Sequence, residues 1–301
     1  MQTQHHQEMD LLQLMERFHS EERCRAYLEA LRWPNGVACP RCGGSQQAHD
    51  TARGVYDCYS CSYQFSVLAG TIFHDTKLPL RKWLMAVLIM VEAKKGISAN
   101  QMKRTLGVSY KTAWYLCHRI RHAMAEVNTE QLGGQIEVDE TYVGGKVRGR
   151  GHGYRGNKAT VVGVVQRKGE IRLQVASGAD RETLHAIIHK HVSPEAPNIF
   201  TDEWAAYRGI GDQDTTHETV NHKAEEWVRG DAHTQTVESV WSLLKRSIVG
   251  SYHKVSVKHL DSYLDELEWR FNNRENPYLF RDTLLKLLTA EALPYQTLTA
   301  E

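Results

Sequence analysis

Apolar residues recur at helical spacing in residues 10 to 31, DLLQLMERFHSEERCRAYLEAL, over an acidic surface, which predicts one or two short helices. The same period runs from Pro79 to about Met124, interrupted at Lys95-Gly96 and at Gly107. Its densest stretch, Trp83 to Val91, reads as a buried helix too short to cross a bilayer. At Gln135 the period falls to two: QIEVDETYVGG, residues 135 to 145, is a strand, and ATVVGVVQRKGEIRLQVAS is a hairpin turning at Lys168-Gly169. DRETLHAIIHKHV returns to helix with Asp180 as its cap, and NIFTDEW, after Pro194 and Pro197, is a short buried strand. Beyond Thr234 the chain is helical again, through TVESVWSLLKRSIVG, VKHLDSYLDELEWRFNNR and FRDTLLKLLTA. The pattern is that of an α+β multidomain chain. It divides into N-terminal helices (1–36), a small cysteine module (37–76), a helical region (77–130), a hairpin-rich α/β unit (131–255) and C-terminal helices (256–301).

Composition adds little to this except in the placement of charge. A chain of 301 residues with 41% hydrophobic and 24% charged residues has room for two or three ordinary globular domains. The opening MQTQHHQEMDLL lacks the basic-then-apolar layout of a signal peptide, so a cytoplasmic, reducing location is expected. The six cysteines are then thiols or metal ligands rather than disulfides. The net charge of +1 hides two basic blocks: ten Lys/Arg against Glu92 alone from Lys77 to His122, and eight against Glu170 alone from Lys146 to Arg172. Such blocks are either the footprint of a polyanion or solvated faces balanced by acids elsewhere in the fold.

The cysteines of the small module are paired. Cys39-Pro-Arg-Cys42 and Cys58-Tyr-Ser-Cys61 stand fifteen residues apart, a spacing at which two knuckles aim four thiolates at one Zn²⁺. A redox CxxC needs one pair, not two. So few large apolar side chains accompany the knuckles that metal would have to supply much of the folding energy. Cys24 and Cys117 sit in helical patterns and read as buried thiols.

In KKGISANQMKRTLGVSYKTAWYLCHRIRHAM one helix from about Ser98 to Leu106 is followed by a turn at Gly107-Val108 and a second helix capped by Ser109. This is the layout of a helix-turn-helix, and equally of a plain helical hairpin with a basic surface. In the first reading Lys111, Thr112, Tyr115 and His118 are on the exposed face, and Lys103, Arg104, Lys111 and Arg119 are candidate DNA contacts.

Three acids stand out in the α/β unit. On the strand at 135, alternation puts Ile136, Val138, Glu140 and Tyr142 on one face and Asp139 on the other, which suits an edge strand or a metal ligand. Asp202 ends a short apolar strand, where α/β folds gather ligands, but it also suits a helix cap. Glu238 lies in the first turn of a helix if Thr234 caps it, where the dipole favours a carboxylate in any case. It borders the stripe Val237, Trp241, Leu244 and Ile248, with Lys245 two turns along nearly the same azimuth.

A strand Asp, a strand-end Asp, thirty-five intervening residues, a helical Glu and a Lys seven further on resemble the DDE nuclease core of transposases and retroviral integrases. The resemblance widens through CPRCGG, YDCYSCSYQFSVLAGTIFHDTKLPLRKW, KKGISANQMKRTLGVSYKTAW, VDETYVGGK, TDEWAAYRGI and the long block HETVNHKAEEWVRGDAHTQTVESVWSLLKRSIVGSYHKVSVKHLDSYLDELEWRFNNR. From about residue 20 to 285 the chain is similar to bacterial insertion-sequence transposases that join an N-terminal zinc ribbon to a DDE domain. The resemblance implies a zinc ribbon and helix-turn-helix followed by a ribonuclease-H-like catalytic domain with C-terminal helices. It implies Mg²⁺ (or Mn²⁺) held by Asp139, Asp202 and Glu238, structural Zn²⁺ on Cys39, Cys42, Cys58 and Cys61, and DNA contact by Lys245 with Arg246 beside it. The partners implied are terminal inverted repeats and target DNA, with a homo-oligomer in the DNA complex and no membrane. Some relatives carry Asn at the third acid; this chain has Glu, which argues against a DNA-binding regulator that lost catalysis. Near the third acid, His217, His222 and His233 read as phosphate contacts or as satisfied core and surface histidines; Glu140, Glu203, Glu225 and Glu226 read as supporting groups.

Overall fold

A computed structural model describes residues 9–126, 129–145, 158–211, 213–220 and 228–300; residues 146–157, His222, Glu225 and Glu226 lie outside the described residues. The chain forms two units, one running to Ala125 and resuming at Glu275, the other spanning Glu126–Arg274.

The first unit opens with helices α1 (Leu11–Arg17) and α2 (Glu21–Arg32). Asp10 and Gln13 exchange side-chain-to-backbone bonds of 2.8 and 3.0 Å, a capping box that satisfies two orphan donors. Strands β1 (Gln47–Asp50), β2 (Val55–Cys58) and β3 (Gln64–Phe65) then make a small antiparallel sheet. Helix α3 (Leu80–Glu92) begins after Pro79, which offers no capping side chain. Glu21 fills that role from α2, accepting the N–H groups of Leu80 and Arg81 at 2.8 and 3.2 Å. α4 (Ala99–Leu106) ends on Gly107 at φ +60°, a left-handed closure that suits glycine, and Ser109 caps α5 (Tyr110–Met124) as expected.

The second unit is a five-stranded sheet. Its strands are β4 (Gln135–Val143), β5 (Ala159–Gln166), β6 (Ile171–Ala176), β7 (Asn198–Asp202) and β8 (Thr216–Val220), in the order β6-β5-β4-β7-β8. The first three pair antiparallel, β5 and β6 through the Lys168 turn, and β7 and β8 continue parallel to β4. Helix α6 (Arg181–His191), capped by Asp180, covers one face. Leu184, Ile187 and Ile188 pack there on Ile136, Val138, Val162 and Val164. Helices α7 (Gln235–Ser247) and α8 (Leu260–Asn272) cover the other, with Val237, Val240, Trp241, Leu244 and Leu264 against Val161, Val165 and Ile171. β8 escapes a pattern search because THETV is too polar to alternate cleanly. It is an edge strand held by backbone pairing with β7, and of its residues only Val220 is buried.

The opposite edge, β6, is covered by side chains of α8. Asn272 accepts the N–H of Ile171 at 2.8 Å and donates to its carbonyl at 3.1 Å, while Glu268 accepts the N–H of Leu173 at 2.8 Å. An amide side chain thus stands in for a missing strand. α9 (Leu279–Thr289) and α10 (Tyr295–Thr299) belong to the first unit, where Leu287 accepts the N–H of Ile72. Residues 256–301 are therefore divided between the units rather than forming one C-terminal block. No helix among the described residues is long and apolar enough to cross a membrane.

Asn272→Ala removes both bonds; the Ile171 carbonyl keeps Arg172 Nη1 at 2.9 Å but the Ile171 N–H is left without its acceptor, so the urea midpoint should fall by the equivalent of about 1 kcal/mol at unchanged slope. A wild-type midpoint would show that the edge does not need this cover.

Candidate functional site

The four cysteine sulfurs converge. All four lie within 4.8 Å of one another, with Cys39–Cys61 at 3.7 Å and Cys42–Cys58 at 3.6 Å. The two knuckles fold alike. Gly43 N–H bonds the carbonyl of Cys39 and Ser62 N–H that of Cys58, at 2.8 and 2.9 Å, and both closing residues have positive φ. Behind them is only a small core of Tyr56, Phe65, Ala69 and the buried Cys39 and Cys58. The donor set and spacing fit a structural Zn²⁺.

The acids occupy the α7 face of the second sheet. Asp139 pairs across the ladder with Gly163 and lies on the face opposite Ile136 and Val138, as alternation predicts. β7 pairs with β4 as far as Glu137↔Phe200, and Asp202, two residues further along β7, lies within electrostatic reach of Asp139. Burial, then the neighbouring Glu140 and Asp202 carboxylates, push the Asp139 carboxyl up to about 7 against the pull of a Trp241 hydrogen bond. Asp202 also accepts the N–H of Trp204 at 2.9 Å, so it serves the local turn as well. Glu140 is held on the other face by the Tyr207 hydroxyl at 2.7 Å. Glu238, exposed on α7, accepts from the Thr234 hydroxyl at 3.0 Å. Among the described residues, only the cysteines bring three or more such ligand atoms within 4.8 Å of one another. A buried carboxyl such as Asp139, raised by burial and then by neighbouring carboxylates, fits a divalent cation, whose charge would reverse that effect.

The residue the pattern missed is Glu137. Its fully buried carboxylate accepts Thr236 N–H (2.7 Å), Thr236 Oγ1 (2.8 Å) and Val237 N–H (3.0 Å), and it pairs with Arg167 Nε at 2.7 Å. His233 Nδ1 lies 3.1 Å away. Glu137, not Thr234, therefore caps α7; the Thr234 side chain makes no cap bond to that helix's backbone. The available signal was parity, since 137 and 139 share a face. His217 bonds Thr201 Oγ1 at 2.9 Å, and burial lowers its pKa.

Of the basic candidates, Lys103, Arg104 and Lys111 are exposed on α4 and α5, and Lys245 and Arg246 on α7. Arg119 is a correction: it is buried, donates to the carbonyls of Ile72 and His74, and lies 5.0 Å from the Trp83 ring centroid. A guanidinium spent on core carbonyls is not offered to phosphate. His118 is likewise buried rather than exposed, and the Tyr115 hydroxyl bonds the carbonyl of Leu293. That α5 face packs on α10, where Tyr295 lies 5.3 Å from Tyr115 and beneath Lys111 at 4.3 Å.

Comparison with known proteins places both regions. Residues 131–272 match the model of the ISXO2-like transposase domain, and residues 19–64 that of the transposase zinc-ribbon domain. Together the two cover more than half of the chain. An uncharacterized protein in transposable element ISH50 of Halobacterium salinarum is 29% identical over 272 residues, covering 84% of this chain and 91% of its own length. An uncharacterized transposase-like protein of Haemophilus influenzae is 27% identical over 101 residues, 34% of this chain and 80% of its own.

Protein purified without added zinc should carry about one zinc per chain, and a chelator that removes it should melt the β1–β3 sheet. Metal-free protein with an intact ribbon would contradict the assignment. Asp139 generates a pH dependence. The folded protein holds its proton up to about 7, whereas the unfolded chain releases it near 3.8. Between those values the native state binds more protons, so stability falls as pH rises and is flat above. In metal-free buffer the melting temperature of wild type relative to Asp139→Asn should drop across that window. A constant difference would show that the carboxyl titrates normally.

Proposed function

Because the chain belongs to the insertion-sequence transposases that join a zinc ribbon to a DDE-type domain, we propose that it is the DNA-processing enzyme of such an element. It binds the terminal inverted repeats, cleaves at the element end and joins the freed strand to target DNA. The observation that supports this reading best is a buried Asp139 carboxyl on the sheet face that α7 covers, within electrostatic reach of Asp202 at the end of the neighbouring strand. The sheet supports a ribonuclease-H-like reading: three antiparallel strands followed by two parallel ones, with helices on both faces.

In this reading Asp139, Asp202 and Glu238 hold divalent ions, Mg²⁺ in the cell or Mn²⁺. When bound, such ions activate a water or a DNA 3′-hydroxyl and neutralise charge on the leaving oxygen. The chain's own groups do the rest. Glu140 stays on the far face with Tyr207, leaving Asp139 and Asp202 to the α7 side. Lys245 and Arg246, exposed on the helix that carries Glu238, offer charge to the phosphodiester. Lys103, Arg104 and Lys111, with the zinc ribbon, bind the element end, and salt should weaken that binding steeply through counterion release. Two ends cut in one complex call for more than one copy of the chain.

The test is Mg²⁺-dependent cleavage of a labelled terminal-repeat duplex, run beside a binding gel. Asp139→Asn, Asp202→Asn and Glu238→Gln should each lower cleavage by orders of magnitude with end binding retained, and double variants should lose little more. Glu140→Gln should keep substantial activity. An active Asp139→Asn, or a dead Glu140→Gln that folds and binds, would assign the chemistry to the wrong face of β4.

A further inference from the structure

We propose that Trp241 is a positioning residue for Asp139, its indole N–H fixing the orientation of the carboxylate that receives the divalent ion. The inference rests on the reading of Asp139 as a metal ligand. Trp241 Nε1 donates to Asp139 Oδ2 at 2.8 Å. The ring reaches the strand because Gly163, the cross-strand partner of Asp139, has no side chain. A Cβ there would meet Trp241 Cη2 and Cζ2 at 2.7 Å, closer than packed atoms allow. The glycine therefore opens a slot for the indole directly beside the acid.

The indole is not a loose donor. Trp241 is buried within the cluster of α7, α8 and β5, so its ring has no room to turn. Its helix is anchored one turn earlier, where Glu137 takes the N–H groups of Thr236 and Val237. Strand and helix are thus joined at two points: residues 137 and 139 on β4, and residues 236–237 and 241 on α7. A buried tryptophan needs a partner for its N–H, and most find a backbone carbonyl or water; this one is given a candidate metal ligand. Partners of this kind set ligand orientation before the ion arrives.

Trp241→Phe keeps the ring and deletes the donor. In the full chain, Mn²⁺ affinity measured by electron paramagnetic resonance should weaken about 10- to 100-fold. The Mg²⁺ needed for half-maximal cleavage of a terminal-repeat duplex should rise in parallel. The smaller buried ring should lower the melting temperature somewhat, but the folded variant should bind terminal-repeat DNA near wild type, so that the loss of Mn²⁺ affinity is confined to the metal site. The Trp241 indole resonance, assigned by its loss in Trp241→Phe, should shift in Asp139→Asn and broaden with Mn²⁺. Gly163→Ala, which keeps the N–H but displaces the ring, should reproduce the metal defect. If Trp241→Phe does not fold, wild-type resonances decide the matter: no indole signal that both shifts in Asp139→Asn and broadens with Mn²⁺ overturns the proposal. Wild-type Mn²⁺ affinity and Mg²⁺ dependence in Trp241→Phe, beside a dead Asp139→Asn, overturn it while leaving the catalytic reading intact. An active Asp139→Asn removes the catalytic reading itself, and the positioning role with it.

Discussion

The geometry of the second unit depends on one buried carboxylate. Glu137 is fully buried, yet it faces two helix-terminal N–H groups, a threonine hydroxyl, a guanidinium and a histidine. Burying a carboxylate is costly unless each lone pair is met, and here they are met by groups from three parts of the chain. Arg167, from the end of β5, links Glu137 onward to the carbonyl of His233 and stacks over Phe200 with its guanidinium carbon 4.1 Å from the ring centroid. The start of α7, the middle of β4 and the strand that ends in Asp202 are therefore fastened to a common point.

From that point the acids follow. β4 alternates, so the residue two beyond Glu137 is Asp139 on the same face; β7 runs parallel, and Asp202 at its end comes within electrostatic reach of Asp139; α7 begins at the clamp, so Glu238 lies in its first turn. The acid face forms where a parallel strand, an antiparallel strand and a helix start meet. Gly163 then lets Trp241 reach across to Asp139. The opposite face spends its polar contact on Glu140 and Tyr207.

Much of this was legible in the residues. Period-two alternation separated Asp139 from Glu140, the Lys168-Gly169 turn marked the hairpin, and Ser109 and Asp180 announced their helices. The paired CxxC knuckles placed four sulfurs together without any fold knowledge. What stayed hidden depends on non-local contacts. Thr234 has the residue type of a cap, but Glu137, ninety-nine positions away from Thr236, takes the helix's N–H groups. Arg119 looks like a DNA contact in a basic helix, yet the carbonyls of Ile72 and His74 claim it. β8 has no hydrophobic alternation because an edge strand needs only its backbone. The split of the C-terminal helices has no local marker, since α8 and α9 are both amphipathic and differ only in which unit they cover.

The central claim is that the α7 face of the sheet, and not the α6 face, is a divalent-ion centre. Crystals of the protein soaked in Mn²⁺ and measured at the manganese absorption edge test it directly. Anomalous peaks within coordination distance of Asp139 and Asp202, on the Trp241 side of β4, are the expected result. Manganese lodged instead beside Glu140 and Tyr207, or absent from both acids at saturating concentration, would contradict the account.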